Sequence, residues 1–413
     1  MTATQTARWF WAREGCEIVD GRLQVAGHDA EQLAREHGTP LYVYDLGRVA
    51  DNADRLRSAL ERAGVPHRVR FALKANREPE VLAVLRERGV GIDASSPGEV
   101  ELALAEGWAA AEISYTGTNV SERDLDVILG HGVHMNLDLL SQLRRYGRRA
   151  PGTSVGLRIN PRAGGAYTGG GETLYSGAGP TKFGIYEEDL DQALQIAADH
   201  RLAIDTVHIH IGDGFLDDGL AGFETGVAKA AAVALRLREA GCPIREVNTG
   251  GGLGNPQRPG ELPLDLDAYA AILARQLGGL GVTVACEPGD FLVKDSAVLL
   301  CEVITVEERL GTTFIGLDAG WNVMPDMFIY GVKADIVLCR AVDGQPTRPV
   351  TVTGHINEGN DVFAEGHDMP EVVEGDIVAL MDVGGYHQAM TSPHCLRPPA
   401  PSLHLRDRLA GPR

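Results

Sequence analysis

The stretch of this sequence that points most directly to chemistry contains its first lysine, Lys74. This stretch is R-V-R-F-A-L-K-A-N, which runs from Arg68 to Asn76. Alternating side chains predict a strand that directs its bulky apolar residues to one face and Lys74, next to the small Ala72, to the other. A charged amine at the end of a buried strand is costly and needs a chemical partner. The alternative is a lysine whose long stem simply reaches solvent.

Six polar residues, Lys74 among them, are predicted to point inward and come late in their predicted strands. They are Lys74, Asp93, Asn136, Arg158, His210 and Glu287. In a barrel of parallel strands such residues converge at the C-terminal rim, where barrel enzymes carry their active sites. The alternative is that these polar strand ends are satisfied by neighbouring loops. That explanation suits two or three of the residues better than the whole set.

The elements that position these residues alternate between strand and helix. After an amphipathic helix that starts at Leu46, the pattern predicts about eight short strands separated by helical segments, the number that closes a (β/α)₈ barrel. The predicted strands lie near residues 69–74, 90–95, 113–117, 133–138, 155–160, 207–211, 247–250 and 282–287. Their apolar and polar side chains alternate, so we expect an apolar face under helices and a small or polar face directed inward.

The domain organisation follows from where this alternation stops. After Gly289 the pattern predicts strands joined by turns with little helix, and residues 16–44 are also expected to be β-rich, with a hairpin turn at Asp20-Gly21. We therefore predict an α/β protein with a barrel at 46–290 and a second, β-rich sandwich or barrel domain built from 1–45 and 291–413. The last residues, from Arg397, are expected to form a tail.

Composition limits the class of protein. The chain has 413 residues, 44% of them apolar and 23% charged, and a formal net charge of −19. This is the composition of a globular protein, and the negative charge argues against nucleic acid or an anionic membrane as the main partner. The six cysteines are scattered and the first residues contain no apolar segment, so a cytoplasmic location is expected.

A glycine-rich loop, Gly250-Gly251-Gly252-Leu253-Gly254, follows the seventh predicted strand. Its backbone N–H groups can face an anion, and Pro288-Gly289 supplies a matching loop after the eighth strand. Phosphate sites after these two strands recur in barrel enzymes. The alternative is that the glycines only allow a tight turn.

Taken together, the motifs resemble a known family, the alanine-racemase-fold (fold type III) pyridoxal-phosphate decarboxylases, which include diaminopimelate, ornithine and arginine decarboxylases. The resemblance covers nearly the whole chain, and the diaminopimelate branch is the most similar. It rests on the motifs F-A-L-K-A-N, G-I-D-A-S-S-P-G-E, R-I-N-P, T-K-F-G-I, H-I-H-I-G, G-G-G-L-G, E-P-G, N-E-G-N-D and G-G-Y.

The resemblance implies roles for the matched residues. Lys74 would hold pyridoxal 5'-phosphate as a Schiff base, Glu287 would pair with the pyridine nitrogen, and His210 would stack on the ring. Asp93 and Arg158 would also contact the cofactor. The resemblance further implies that its phosphate is held by a group of four residues: Gly251, Gly252, Gly289 and Tyr386. Glu358 would act in the active site of the partner subunit of a homodimer.

Several positions depart from the family pattern. Asn357 stands where the family has a cysteine that helps protonate the product, and an amide is a poor proton donor. Asp213 replaces a serine that contacts the phosphate. Asp290 and Asp326 replace arginines, the latter near the family tyrosine, Tyr330. At these positions the diaminopimelate branch uses arginines to bind the distal carboxylate of its substrate, whereas this chain has acids. The difference argues against a role in lysine biosynthesis.

The sequence therefore favours an amino-acid decarboxylase that acts on a substrate other than diaminopimelate, such as a cationic or specialised amino acid. Asn357 keeps a second hypothesis open, a pyridoxal-phosphate epimerase or a biosynthetic enzyme for an unusual or carrier-tethered amino acid. A third is an inactive regulatory homologue, against which Lys74, His210 and Glu287 argue. Residues Gly164–Gly179 form a glycine-rich segment that is either a lid or an inert insertion.

Overall fold

The chain folds into two compact units in a computed structural model that describes residues 9–163, 165–166, 175–177, 179–331, 334–340 and 345–406. The barrel unit consists of Asn52–Asn255 and Pro263–Phe291. The β-rich unit consists of Met1–Asp51, Pro256–Leu262 and Leu292–Arg413. Most of the segment Gly164–Gly179 lies outside the described residues. Among the described residues, no helix is long and apolar enough to cross a bilayer.

The barrel unit contains a closed barrel of eight parallel strands, which confirms the predicted fold class. We number the barrel strands in chain order: His67–Ala72, Gly91–Ala94, Ile113–Tyr115, His134–Leu137, Ser154–Arg158, Ala203–His208, Glu246–Asn248 and Thr283–Cys286. Each strand pairs in parallel with the next, and the eighth closes on the first through Cys286 and Val69. All eight C-terminal ends therefore meet at one rim.

One helix, Leu46–Arg62, precedes the first barrel strand, and seven helices connect the eight strands. The seven are Pro79–Glu87, Pro97–Ala105, Glu122–His131, Leu140–Arg149, Leu190–Asp199, Leu220–Glu239 and Leu266–Leu277. Ser121 begins one of them by accepting a hydrogen bond from the Asp124 amide at 3.1 Å, and Gly132 ends it in the left-handed conformation. The Ser121 cap lies at the end of a loop that follows a strand on the rim side.

Inward positions on the strands follow the predicted parity. Gly156 on the fifth strand faces the side chains of Asn136 and Thr206, and a Cβ at Gly156 would collide with the Asn136 amide. On the outward face, Val155 and Leu157 are fully buried. The strands therefore pack apolar side chains outward and leave small or polar ones inside the barrel.

The β-rich unit contains a three-stranded antiparallel sheet and an eight-stranded sheet. The strands of the first are Cys16–Val19, Arg22–Val25 and His28–Asp29. Those of the second are Leu41–Asp45, Ala297–Arg309, Thr312–Leu317, Ile336–Leu338, Arg348–Thr353, Val362–Met369, Ile377–Leu380 and Ser402–Leu405. The long strand Ala297–Arg309 pairs with three neighbours, so it organises this sheet.

Several elements of this unit were not expected from the sequence. The expectation of a tail from Arg397 is wrong, because Ser402–Leu405 is a strand that pairs in parallel with Leu41–Asp45. The stretch predicted as β-rich contains the helix Ala30–His37, which begins where Asp29 accepts a hydrogen bond from the Gln32 amide at 3.1 Å. The strand Val362–Met369 was also missed; its core E-G-H-D is polar, and all four of these residues are solvent-exposed or half-buried. Two further short helices are Asp290–Val293 and Asp326–Tyr330.

An ionic cluster around the buried Asp205 carboxylate lies at the end of the barrel away from the rim. The Asp205 carboxylate is bound by His134 Nε2 at 2.8 Å and by the Arg245 guanidinium at 2.5 Å. Burial raises the pKa of Asp205, but these two partners outweigh it and bring the pKa to about 2. The ionised carboxylate therefore stabilises the folded state.

We expect Asp205→Asn to lower the free energy of unfolding at pH 7 by about 1–3 kcal/mol, because it removes hydrogen bonds to a charged group. An aspartate titrates near 3.9 when unfolded, so the wild-type advantage is complete above about pH 4 and is lost as the pH falls towards 2. Urea unfolding of both proteins at pH 7 and pH 3 measures this. A difference that is as large at pH 3 as at pH 7 would contradict the assignment.

Candidate active site

The rim of the barrel presents Lys74 one step beyond the first strand. The strand ends at Ala72, and Lys74 lies in the short 3₁₀ turn Leu73–Ala75. Its side chain is solvent-exposed, so the expectation of a lysine buried at a strand end is wrong. The turn lifts the amine out of the packed barrel, where it is accessible to a ligand.

The Glu287 carboxylate at this rim has a hydrogen-bond partner at each of its two oxygens. Its Oε2 lies 2.9 Å from His208 Nε2, and its Oε1 accepts a hydrogen bond of 2.5 Å from Asn248 Nδ2. All three side chains are buried. Burial by itself raises the pKa of Glu287, but the attraction and hydrogen bond of His208 and the positive charge of Arg70 bring the pKa below its usual value. Glu287 is therefore held ionised.

Two other titratable groups nearby are shifted towards their neutral forms. Burial, and then the charge of Glu287, raise the pKa of Asp93 well above its usual value. Burial, and then the positive charges of Arg158 and Lys74, lower the pKa of His210 well below its usual value. The site therefore combines one anionic carboxylate with a neutral imidazole, a pattern typical of functional sites.

Three buried polar atoms at this rim make no hydrogen bond within the described part of the chain: Asp93 Oδ1, Asn136 Oδ1 and His208 Nδ1. The other end of the Asn136 amide is satisfied, because Nδ2 donates to Ser114 Oγ and Thr116 Oγ1 at 3.0 Å each. Buried polar atoms normally have a partner. This interior is therefore built to contact a polar ligand or ordered water.

The loop Gly250–Gly254 passes so close to its neighbours that side chains are excluded. Gly252 has φ +97°, and a Cβ there would collide with the Gly212 carbonyl and lie 2.9 Å from the Phe215 ring. A Cβ at Gly251 would collide with the Glu287 carbonyl. The Gly251 amide donates to His210 Nδ1 at 3.3 Å, which ties the loop to the imidazole. The result is a backbone cradle suited to an anion.

An aromatic wall borders His210. The ring of Tyr175 meets the imidazole edge-to-face with centroids 4.8 Å apart, and stacks on Phe183 at 5.6 Å. On Phe183 also lies the Arg158 guanidinium, 4.4 Å from the ring centroid. These contacts restrict His210 to one orientation.

The remaining barrel-unit positions named from the sequence lie in loops. Gly289 is buried, Asp290 is half-buried at the start of the helix Asp290–Val293, and Asp213 is exposed in a two-residue strand paired with Gly165–Ala166.

The other named positions belong to the β-rich unit. Asp326 is buried and pairs with Nδ1 of the equally buried His387. The exposed Tyr330 contacts the Tyr386 ring, with centroids 6.5 Å apart. Asn357 is exposed, and so is Glu358, whose carboxylate lies 3.0 Å from His394 Nε2. Asp326 thus has a basic partner, an arrangement that weakens any argument from its charge alone.

Three site residues escaped the sequence analysis: His208, Asn248 and Tyr175. His208 shares a face with His210, since residues two apart on a strand point the same way, and that parity could have identified it. Asn248 likewise ends the seventh barrel strand with inward parity. No local sequence pattern distinguishes Tyr175, because its contact with His210 is a tertiary one.

Comparisons with known proteins match this architecture. Residues 46–294 match the family model described as pyridoxal-dependent decarboxylase, pyridoxal binding domain. A diaminopimelate decarboxylase of Methanothermobacter thermautotrophicus is 36% identical over 401 residues, which cover 95% of this chain and 92% of the relative. That of Streptomyces coelicolor is 33% identical over 392 residues, covering 90% and 85%. The crystal structure of M. jannaschii diaminopimelate decarboxylase in co-complex with L-lysine has a TM-score of 0.86 at 27% identity, covering 95% of this chain and 93% of that one.

We expect Gly252→Ala to weaken pyridoxal-phosphate binding tenfold or more, because the new Cβ forces the loop away from the Gly212 carbonyl. Gly241→Ala is the matched control, since Gly241 has φ +88° in the same unit but open space around its Cβ position. Backbone strain costs both variants about 1–3 kcal/mol of stability. Titration of the apo-protein with cofactor, followed by absorbance, measures the affinity. Equal affinities in the two variants would contradict the cradle.

Proposed function

The chain belongs to the pyridoxal-dependent decarboxylases, and we propose that its substrate is an amino acid other than diaminopimelate, with an amine, guanidinium or similar donor at its far end. The protein is a pyridoxal-phosphate-dependent decarboxylase. The observation that carries the substrate proposal is Asp290, an acid three residues after Glu287 at the barrel rim. The wording E-P-G-R of the family has an arginine at this position.

The barrel unit fits the cofactor. The exposed amine of Lys74 suits its aldehyde, and the glycine loop suits its phosphate. Glu287 uses one acceptor position on each oxygen for His208 and Asn248, and a carboxylate has about four in all. Capacity therefore remains for a pyridine N–H.

When bound, pyridoxal phosphate supplies the electron-accepting ring that takes up the electron pair left by loss of carbon dioxide. We propose that Lys74 binds the cofactor and gives way to the substrate amine. Glu287 would keep a proton on the pyridine nitrogen, and the neutral His210 would lie against the ring. Asp93 and Arg158 would complete the contacts of the ring.

The rest of the proposed machinery rests on the resemblance. Gly251, Gly252, Gly289 and Tyr386 would bind the phosphate, and Glu358 would serve the active site of a partner subunit in a homodimer. Asn357 would take the place of the family cysteine without its acidity, so the proton for the product would come from another group. Asp213 would have to turn away from the phosphate.

Charge supports the substrate proposal at two positions of unequal weight. An acid repels a distal carboxylate and attracts an amine, and such like-charge juxtaposition costs several kcal/mol in a partly dry site. Asp290 is a half-buried acid at the barrel rim. Asp326 is buried against His387, and the proposal depends chiefly on the position of Asp290.

Two other functions have a specific observation in their favour. The named relatives are diaminopimelate decarboxylases, which favours that substrate. Asn357 favours an epimerase or a biosynthetic enzyme for an unusual or carrier-tethered amino acid, because the family cysteine that protonates the decarboxylated product is absent. Release of carbon dioxide separates decarboxylation from epimerisation.

We expect Asp290→Arg to raise kcat/KM for meso-diaminopimelate by tenfold or more and to lower it for basic amino acids, because the new guanidinium pairs with a distal carboxylate. Asp191→Arg is the control for net charge; Asp191 lies on an outer helix with its side chain 83% exposed. Carbon dioxide release measures both. If Asp290→Arg and Asp191→Arg behave alike on both substrate types, the charge argument fails.

A further inference from the structure

Two buried side chains, those of His208 and Asn248, hold the Glu287 carboxylate, one at each oxygen. His208 contacts one oxygen and Asn248 the other, at 2.9 Å and 2.5 Å. The side chains of His208 and Glu287 are only 2% and 5% exposed. Water therefore contributes little to solvating this carboxylate, and the two donors must do so.

The barrel register explains why these residues meet. His208 ends the sixth strand and Asn248 the seventh, and the two are direct partners in the parallel pairing. Asn248 is in turn the partner of Ala285 on the eighth strand, two residues before Glu287. Residues two apart point to the same face, so all three side chains enter one layer of the barrel.

Asn248 also connects this layer to the glycine loop. Its Oδ1 accepts a hydrogen bond from the Gly250 amide at 2.9 Å, and the Glu287 amide donates to the Gly250 carbonyl at 2.8 Å. His208 has no such second contact, because its Nδ1 makes no hydrogen bond within the described part of the chain. Among described residues, the hydrogen bonding of His208 is thus directed at Glu287 alone.

A second carboxyl group makes this support necessary. Asp93 lies near enough for Glu287 to affect its charge, and two neighbouring buried carboxyl groups do not both ionise readily. Which of the two carboxyl groups is ionised therefore depends on the donors that surround each of them. The contact with His208 favours the negative charge on Glu287.

We propose that His208 is a positioning residue that keeps Glu287 ionised and aimed at the pyridine nitrogen of the cofactor. Asn248 fixes the other oxygen. The inference rests on the role proposed for Glu287 above. It extends the site by one layer, to a histidine that acts through Glu287.

The test follows the protonation of the cofactor itself. Enzyme reconstituted with pyridoxal phosphate labelled with ¹⁵N in the ring is examined by solid-state NMR between pH 6 and pH 9. In the wild type we expect the ring nitrogen to stay protonated throughout. In His208→Phe, which keeps a ring but no N–H, we expect it to lose its proton within this range and cofactor affinity to fall tenfold or more. His208→Gln restores an amide donor and should recover most of both.

His134→Leu is the matched control, because His134 makes a similar contact of 2.8 Å with Asp205 on the same barrel. It should leave the nitrogen signal unchanged. Asn248→Ala is the second variant should His208→Phe not fold, with the nitrogen signal as its readout, and it should shift protonation in the same direction. A wild-type signal in whichever of these two variants folds overturns the proposal.

Glu287→Gln separates this inference from the function on which it rests. If the ring nitrogen stays protonated in Glu287→Gln, the role proposed for Glu287 is wrong and the role of His208 falls with it. If Glu287→Gln changes the signal but His208→Phe does not, only the role of His208 is wrong.

Discussion

The burial of polar side chains inside the barrel is the constraint on which this structure depends. A polar side chain that points inward must find its partner on a neighbouring strand. Arg70 meets Glu246 with two hydrogen bonds of 2.7 and 3.0 Å, and Glu287 meets His208 and Asn248. The polar interior is therefore organised in layers, and at the C-terminal rim Asp93 Oδ1, Asn136 Oδ1 and His208 Nδ1 make no hydrogen bond with the described residues.

The sequence predicted this barrel because strand parity and spacing carry the information. Inward polar residues at strand ends identified Lys74, Asp93, Arg158 and Glu287 as rim residues, and the glycine run identified the anion loop. The exposure of Lys74 could not be predicted, because it depends on whether the strand ends at residue 72 or at residue 74. The turn that follows the strand determines this. A local turn therefore decides whether the amine is buried or exposed.

Contacts between residues far apart in sequence were beyond prediction. Asp326 pairs with His387, a residue that no local sequence pattern connects to it. The sequence alone assigned Asp326 to substrate selection, and this pairing weakens that assignment. The contact between Tyr175 and His210 likewise joins two residues that are far apart in sequence. Tertiary contacts, rather than propensity, decide such roles.

We propose that this decarboxylase does not use diaminopimelate, although its relatives are named diaminopimelate decarboxylases. The most direct measurement incubates the cofactor-loaded wild-type enzyme with meso-diaminopimelate, lysine, ornithine and arginine, and follows carbon dioxide and products by mass spectrometry. We predict carbon dioxide release from a basic amino acid, with kcat/KM for diaminopimelate lower by about a hundredfold or more. Efficient decarboxylation of diaminopimelate would contradict the claim and assign the chain the activity of its relatives.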